Sequence, residues 1–214
     1  MTVRNAASMP TSLSQWEARG YHGNGNVAPL IGSLAGRSVI VCGNASGVFL
    51  QLEIAQAQIA DPVIIACNDV GMYLPTVDHW VSLHHDKLRA WRDVRWQESH
   101  GHETTKYHSV DRRPYIDYAW EQLTPCFMLT GYFAMQIAWI LGAEQIVLCG
   151  CPGDAVPRFF ESSAREDFFY GSGPTGREDG IRLQLIKEMS RVPGFKDAVR
   201  SISGGFTQNY FGGL

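Results

Sequence analysis

Ser38-Val-Ile-Val-Cys-Gly-Asn-Ala-Ser-Gly47 decides the fold of this chain. Val39 to Cys42 are four consecutive apolar residues, the pattern of a short strand buried on both faces. They run into a turn of small residues, Gly43 to Gly47. Beyond it, Val48, Leu52, Ala55 and Ile59 recur at the spacing of one helix face. Strand, glycine turn and helix form the unit that sets a helix N-terminus at the carboxyl end of a parallel strand. Backbone N–H groups left open in such a turn, with the positive end of the helix dipole, favour a phosphate or a carboxylate. The turn Gly43 to Gly47 is therefore the first candidate ligand contact.

The same punctuation recurs along the chain. Pro62 to Cys67 reads as a second buried strand, ending in Asn68-Asp69. Asp78 to Leu83 is a third strand candidate, with His84-His85-Asp86 at its end. A short helix is expected over 87–97, carrying Lys87, Arg89, Arg92 and Arg95 around Leu88 and Trp91. Residues 98–114 are polar and His-rich, a long loop or a weak strand. The clearest helix is 132–141, with Thr130 at the N-cap position and Gly142 at the stop. Gln145 to Cys149 is the next strand, ending Gly150-Cys-Pro-Gly-Asp154. Residues 155–177 mix aromatics, charges and glycine, the composition of a lid over a ligand or of an ordinary surface excursion. A helix over 177–189 and a strand over 198–202 precede Ser203-Gly-Gly-Phe-Thr207.

Short buried strands alternating with helices predict an α/β fold: a single Rossmann-like, doubly wound, mostly parallel sheet with helices on both faces, spanning 37–214. Residues 1–36, rich in Ser, Gly, Asn and Pro, read as an arm or tail. Packed on a neighbouring subunit, that arm would make the protein a homo-oligomer.

The bulk composition excludes several partners. The net charge of −3 gives no basic footprint, so nucleic acid is not expected. No apolar run has the length of a membrane span and the N-terminus lacks a signal-peptide layout, so a soluble cytoplasmic protein is expected. Cys42, Cys67, Cys149 and Cys151 end apolar runs, where cysteine serves as a small buried hydrophobe. Cys149-x-Cys151 is not a zinc spacing, and His79, His84, His85, His100, His102 and His108 match no helical ligand pair; no metal site is expected. Trp80, Trp91, Trp96 and Trp139 read as packing.

The polar clusters Gly43 to Ser46, Asn68-Asp69, His84 to Asp86 and Gly150 to Asp154 all fall at strand ends, with Thr130-Gly131 opening the best-marked helix. Turn chemistry alone accounts for any one of them. In a parallel sheet they share one edge, and as a set they predict a small-ligand site there. The first turn lacks the third glycine of the dinucleotide fingerprint, and the chain contains no Gly-Lys-Ser/Thr, so neither an NAD site nor a P-loop is expected.

Val39 to Ser46, Ala66-Cys-Asn-Asp69, and Leu129 to Ala134 with Leu141 to Gly150 together resemble the small bacterial sialyltransferases that use a CMP-activated sugar. They are similar also to hydroxymethylpterin diphosphokinase-like proteins. Phage-type proteins with a closing R-S-x-S-G motif share the pattern, matched here by Arg200-Ser-Ile-Ser-Gly204. The resemblance covers residues 38–83 and 126–154. It implies that Gly43, Asn44 and Ser46 approach the nucleotide, and that Asn68, with Asp69 beside it, binds ribose or donor. Thr130 and Gly131 would meet base or phosphate, and Gly150 would let the nucleotide lie close to the backbone. Asp154, and Ser203 of the closing motif, are further candidate nucleotide contacts.

Two departures stand out. The family's acid two residues past the Gly150 position is Pro152 here, with Asp154 further on. Its late catalytic histidine has no counterpart, because no histidine follows His108. A transferase needs a base for the acceptor hydroxyl and cations or N–H groups for the departing phosphate. His84 and His85 are the candidate replacements for the base, and Arg200 or the 87–95 basic face for the phosphate; an ordinary polar turn and a solvated helix face are the plain alternatives. No cofactor is required beyond a CMP-type nucleotide-sugar donor. A magnesium-dependent diphosphokinase-like enzyme and a non-catalytic, phage-derived binding or assembly protein that kept the fold are the other readings.

Overall fold

The computed structural model describes residues 27–97, 104–113, 115–121, 123, 129–153, 156–160 and 186–214. Seven strands form one sheet: β1 (Ser38–Cys42), β2 (Val63–Cys67), β3 (His79–Val81), β4 (Lys106–Ser109), β5 (Tyr118–Ala119), β6 (Gln145–Cys149) and β7 (Val199–Ser201). Their order is β5-β4-β3-β2-β1-β6-β7, and every pairing is parallel. The sheet thus grows outward from β1 in one direction and resumes on its other side with β6. The order reverses between β1 and β6, the place where an open α/β sheet offers a crevice at its strand carboxyl ends.

The apolar runs divide between two layers with the period of two that a pleated strand imposes. Val39, Val41, Val63, Ile65, Ile146 and Leu148 face one cluster with helix α3 (Thr130–Ile140). Ile40, Cys42, Ile64, Ala66, Val147 and Cys149 face the other, with helix α1 (Val48–Gln58) and Leu88 of helix α2 (His85–Gln97). Helices therefore cover both faces. The chain closes with helices α4 (Phe195–Ala198) and α5 (Gly205–Phe211) flanking β7.

Helix α3 is buried almost all round, so something must cover its outer side. Residues 27–36, grouped with the arm on sequence, do so. Val27, Leu30 and Leu34 are buried, and the Gly32 and Leu34 N–H groups donate to the Ile140 and Leu141 carbonyls at 3.1 and 2.6 Å.

Several local expectations need correction. Leu129, not Thr130, is the N-cap of α3, and Thr130 is the first helical residue. Helix α2 starts at His85 rather than 87, because the Leu88 N–H already reaches the His84 carbonyl at 3.0 Å. Within 98–114, read as a long loop or a weak strand, the strand alternative holds at 106–109, which form β4 in register with β3. The candidate helix over 177–189 is described only from 186 onward, and the candidate lid at 155–177 only over 156–160.

Arg95, wholly buried on α2, ties the helix to the loop that leaves β2. One guanidinium nitrogen donates to the Gly71 and Leu74 carbonyls, each at 2.6 Å. No Cβ fits at Gly71, where the Trp80 ring lies against the backbone. Arg95→Ala should cost about 3 kcal/mol, since it leaves buried carbonyls that accepted from a charged donor without partners. Urea unfolding checks this; a loss under about 1 kcal/mol would mean water takes over the carbonyls.

Candidate functional site

Several N–H groups of the first turn, expected to stand open, are bonded within the chain. Gly43 N–H donates to the Cys149 carbonyl at 2.7 Å and Ala45 N–H to Gly150 at 3.1 Å. Ser46 N–H donates to Pro157 at 2.8 Å, and Val48 N–H to Ala45 at 3.2 Å. These four donors are spent on the chain's own carbonyls, and residues 157–159 lie along the turn as an antiparallel neighbour. Ala45 bridges Arg158, and the Phe159 N–H donates to the Asn44 carbonyl at 2.9 Å.

The strand-end glycines serve the same closure. A side chain on Gly43 would fall on the Gly150 carbonyl and within 2.5 Å of Cys151 Sγ; one on Gly131 would come within 2.9 Å of the same sulfur. Gly150, at φ +65°, faces the Gly43 carbonyl and Val48. The smallness of these three residues is required by chain packing between β1, β6 and the start of α3.

What the strand ends present are side chains. The register that aligns Cys42 with Ala66 sets Asn44 and Asn68 side by side, each two residues beyond its strand partner. Asn44 Nδ2 donates to Asp69 Oδ1, while Asn44 Oδ1 is buried without a partner. Asn68 adopts a left-handed φ of 54°, and Trp80 Nε1 donates to its carbonyl at 2.6 Å. Its side-chain Oδ1 accepts from Ser82 Oγ at 2.9 Å and from Thr130 Oγ1 at 3.1 Å. Thr130, 6% exposed, thus reaches the crevice through Asn68.

The field around these amides is mixed. Burial raises the Asp69 carboxyl above its ordinary value, opposed by its own backbone hydrogen bond, by Arg158, by Asn44 and by Lys87. Burial lowers the His84 imidazole, helped by Lys87, Arg158 and His85 and opposed by Asp86. His84 is accordingly neutral near pH 7, the state a general base requires. Sequence reading assigned Arg158 nothing, since it lies inside the stretch taken for a lid. Beside it, Phe159 packs edge-on against Phe49 and Tyr73 at 5.3 and 5.2 Å between ring centres.

The remaining candidates fall elsewhere. His85 Nδ1 lies 3.1 Å from Asp111 Oδ2, within hydrogen-bond reach. Arg200 donates to the Asp197 and Val199 carbonyls, at the amino end of β7, so the structure does not bring it to the crevice. Ser203 Oγ donates to the Leu148 carbonyl and accepts from Cys151 N–H, both at 2.9 Å; it staples the ends of β6 and β7. Asp154 lies outside the described residues. Burial pushes the Cys149 and Cys151 thiols up to about 12 and holds Cys42 and Cys67 well above their usual value, which leaves them inert. Among the described residues no group of three His, Cys, Asp or Glu side chains is placed to hold a metal ion, and no helix is long and apolar enough to cross a membrane.

Fold and strand-end cluster together define a Rossmann-like α/β protein with an amide-lined edge at the carboxyl ends of β1, β2 and β3. No family model matches the chain, and no curated protein matches it. Among solved structures it is similar to the sialyltransferase CstII from Campylobacter jejuni. With the complex holding the substrate analogue CMP-3FNeuAc the TM-score is 0.55 at 12% identity, over 81% of this chain and 84% of that one. With the complex holding cytidine 5'-monophosphate it is 0.56 at 12% identity, over 84% and 85%. At that identity the likeness establishes a shared fold.

Proposed function

We propose that the crevice at the ends of β1, β2 and β3 binds a nucleotide or nucleotide sugar of the CMP type, and that the protein is glycosyltransferase-like, of the sialyltransferase type. The observation that carries this reading is the pair of hydrogen-bonded groups at neighbouring strand ends, Asn44 on Asp69 and Ser82 with Thr130 on Asn68. The similarity of fold to a sialyltransferase whose solved complexes hold CMP compounds supports it. Because the Gly43, Ala45 and Ser46 N–H groups are bonded within the chain, side chains carry recognition. Asn44 and Asn68 meet base, sugar or ribose, and Arg158 and Lys87 supply positive charge for the phosphate.

In a transfer, the acceptor oxygen forms its bond to the anomeric carbon as the bond to the nucleotide phosphate breaks. His84, neutral and half-buried, takes the acceptor's proton, and the cations stabilise charge on the departing phosphate. The absence of a late histidine favours a second reading, a non-catalytic binding protein on the same scaffold.

A thermal-shift panel of CMP, CDP, UDP, GDP, ATP and NAD, each with and without magnesium, tests this. At a hundred times its dissociation constant a ligand adds about 2.7 kcal/mol, so CMP should raise the midpoint clearly and without metal. A response confined to a triphosphate with magnesium would favour the diphosphokinase-like alternative. Silence across the panel would overturn the nucleotide reading.

A further inference from the structure

We propose that Ser82 is a positioning residue of this site: with Thr130 it pins Asn68 Oδ1 and so fixes the Asn68 amide nitrogen as a donor aimed at an acceptor oxygen of the ligand. The identity of that oxygen, a carbonyl or an anionic group on the nucleotide, rests on the nucleotide reading; the lock itself does not.

Hydrogen-bond accounting carries the argument. A carbonyl oxygen accepts at two lone pairs and an amide nitrogen only donates. Ser82 Oγ, completely buried, accepts from the His84 N–H at 2.9 Å. Its single proton has two acceptors in reach, Asn68 Oδ1 at 2.9 Å and the His84 carbonyl at 3.4 Å, and the shorter contact goes to Asn68. Thr130 Oγ1 supplies the second donor. With both lone pairs occupied, the planar amide cannot rotate without breaking two bonds at once. Its backbone is held as well, by Trp80 Nε1 on the Asn68 carbonyl. Asn68 Nδ2 has no partner among the described residues, and Asn68 is only part-buried. A preorganised donor of this kind binds an acceptor without spending side-chain entropy on ordering. Three elements contribute: β2 the amide, the end of β3 one hydroxyl, and the first turn of α3 the other.

Two kinds of substitution separate lock from contact. Asn68→Asp keeps an oxygen for both hydroxyls and exchanges the ligand-facing donor for an acceptor. It should leave the thermal midpoint within about 2 °C of wild type, yet weaken CMP at least tenfold. Ser82→Ala and Thr130→Val each remove one hydroxyl, whereas Thr130→Ser keeps it. Nitrogen-15 relaxation of the Asn68 side-chain amide, assigned by its disappearance in Asn68→Asp, reads the lock without any ligand. The amide should be rigid in wild type and Thr130→Ser and mobile in Ser82→Ala and Thr130→Val, with CMP weakened three- to tenfold in the latter two. Equal mobility in all four proteins, or undiminished CMP binding by Asn68→Asp, would overturn the proposal. If wild-type protein ignores CMP, the nucleotide reading fails and the amide mobilities alone decide the lock.

Discussion

Gly43→Ala should destabilise the domain by about 3 kcal/mol or more, the upper range for forcing atoms into a packed interior. The added methyl would fall on the Gly150 carbonyl oxygen and within 2.5 Å of Cys151 Sγ. A sulfur at the end of a side chain can turn aside, but a backbone carbonyl in the β1–β6 closure cannot. Gly150 accepts from Ala45 N–H through that same carbonyl, so any retreat breaks the bond that seats the turn. Gly36 supplies the comparison. It holds a φ of +73° with no atom near its missing Cβ, so Gly36→Ala should cost only the left-handed strain of about 1 kcal/mol. Urea unfolding of both variants separates crowding from conformation. Equal losses would show that the switch point is looser than its packing implies.

This closure also explains which parts of the molecule could be read from sequence. Strands β1, β2 and β6 were legible because a strand covered on both faces must be a near-continuous apolar run, and each supplies at least four such residues. The β4 strand Lys106-Tyr-His-Ser109 was legible only as a loop or a weak strand, since two of its buried residues are polar. His108 meets His79 and Trp120, contacts that no local pattern announces.

The site divides in the same way. Asn44 and Asn68 stood out as polar residues ending apolar runs, and parallel register then placed them together. Gly43 and Gly150 stood out too, as access for a ligand, and the structure adds a second reason for their smallness, contact between strands. Thr130 looked like a helix cap, and its hydroxyl instead crosses 62 positions to Asn68. Ser82 and Arg158 had no sequence signal of their own. Their roles come from neighbours that only the folded chain provides.

Acidification should unfold this protein through the His79–His108 pair well before its carboxylates are protonated. Trp120 Nε1 donates to His108 Nδ1 at 3.0 Å, so the His108 proton sits on Nε2 and points at His79 Nδ1, 2.8 Å away. His79 in turn carries its proton on Nε2. A second proton on either ring would set one N–H against another in a buried site, with the Lys106 charge adding to the penalty. Burial lowers His79 to about 4, and burial with the neighbouring His79 holds His108 well below 6.5. The folded state therefore prefers both rings neutral. Their contribution is complete above the unfolded value of about 6.5 and drains away as pH falls toward the folded values. Between pH 7.5 and 5 the His79 ring should cost about 2 kcal/mol, and His108, held low by the same burial, adds in the same direction. Asp69, raised rather than lowered, works in the opposite direction, but it is one half-buried group against two. Urea midpoints at pH 7.5 and 5.0 check the sum. His108→Gln, which can still accept from Trp120 and donate to His79, should lose some stability at pH 7.5 and roughly halve the slope. A wild-type midpoint unchanged at pH 5.0 would mean that the two rings are not held neutral, and that the β3–β4 edge opens to water.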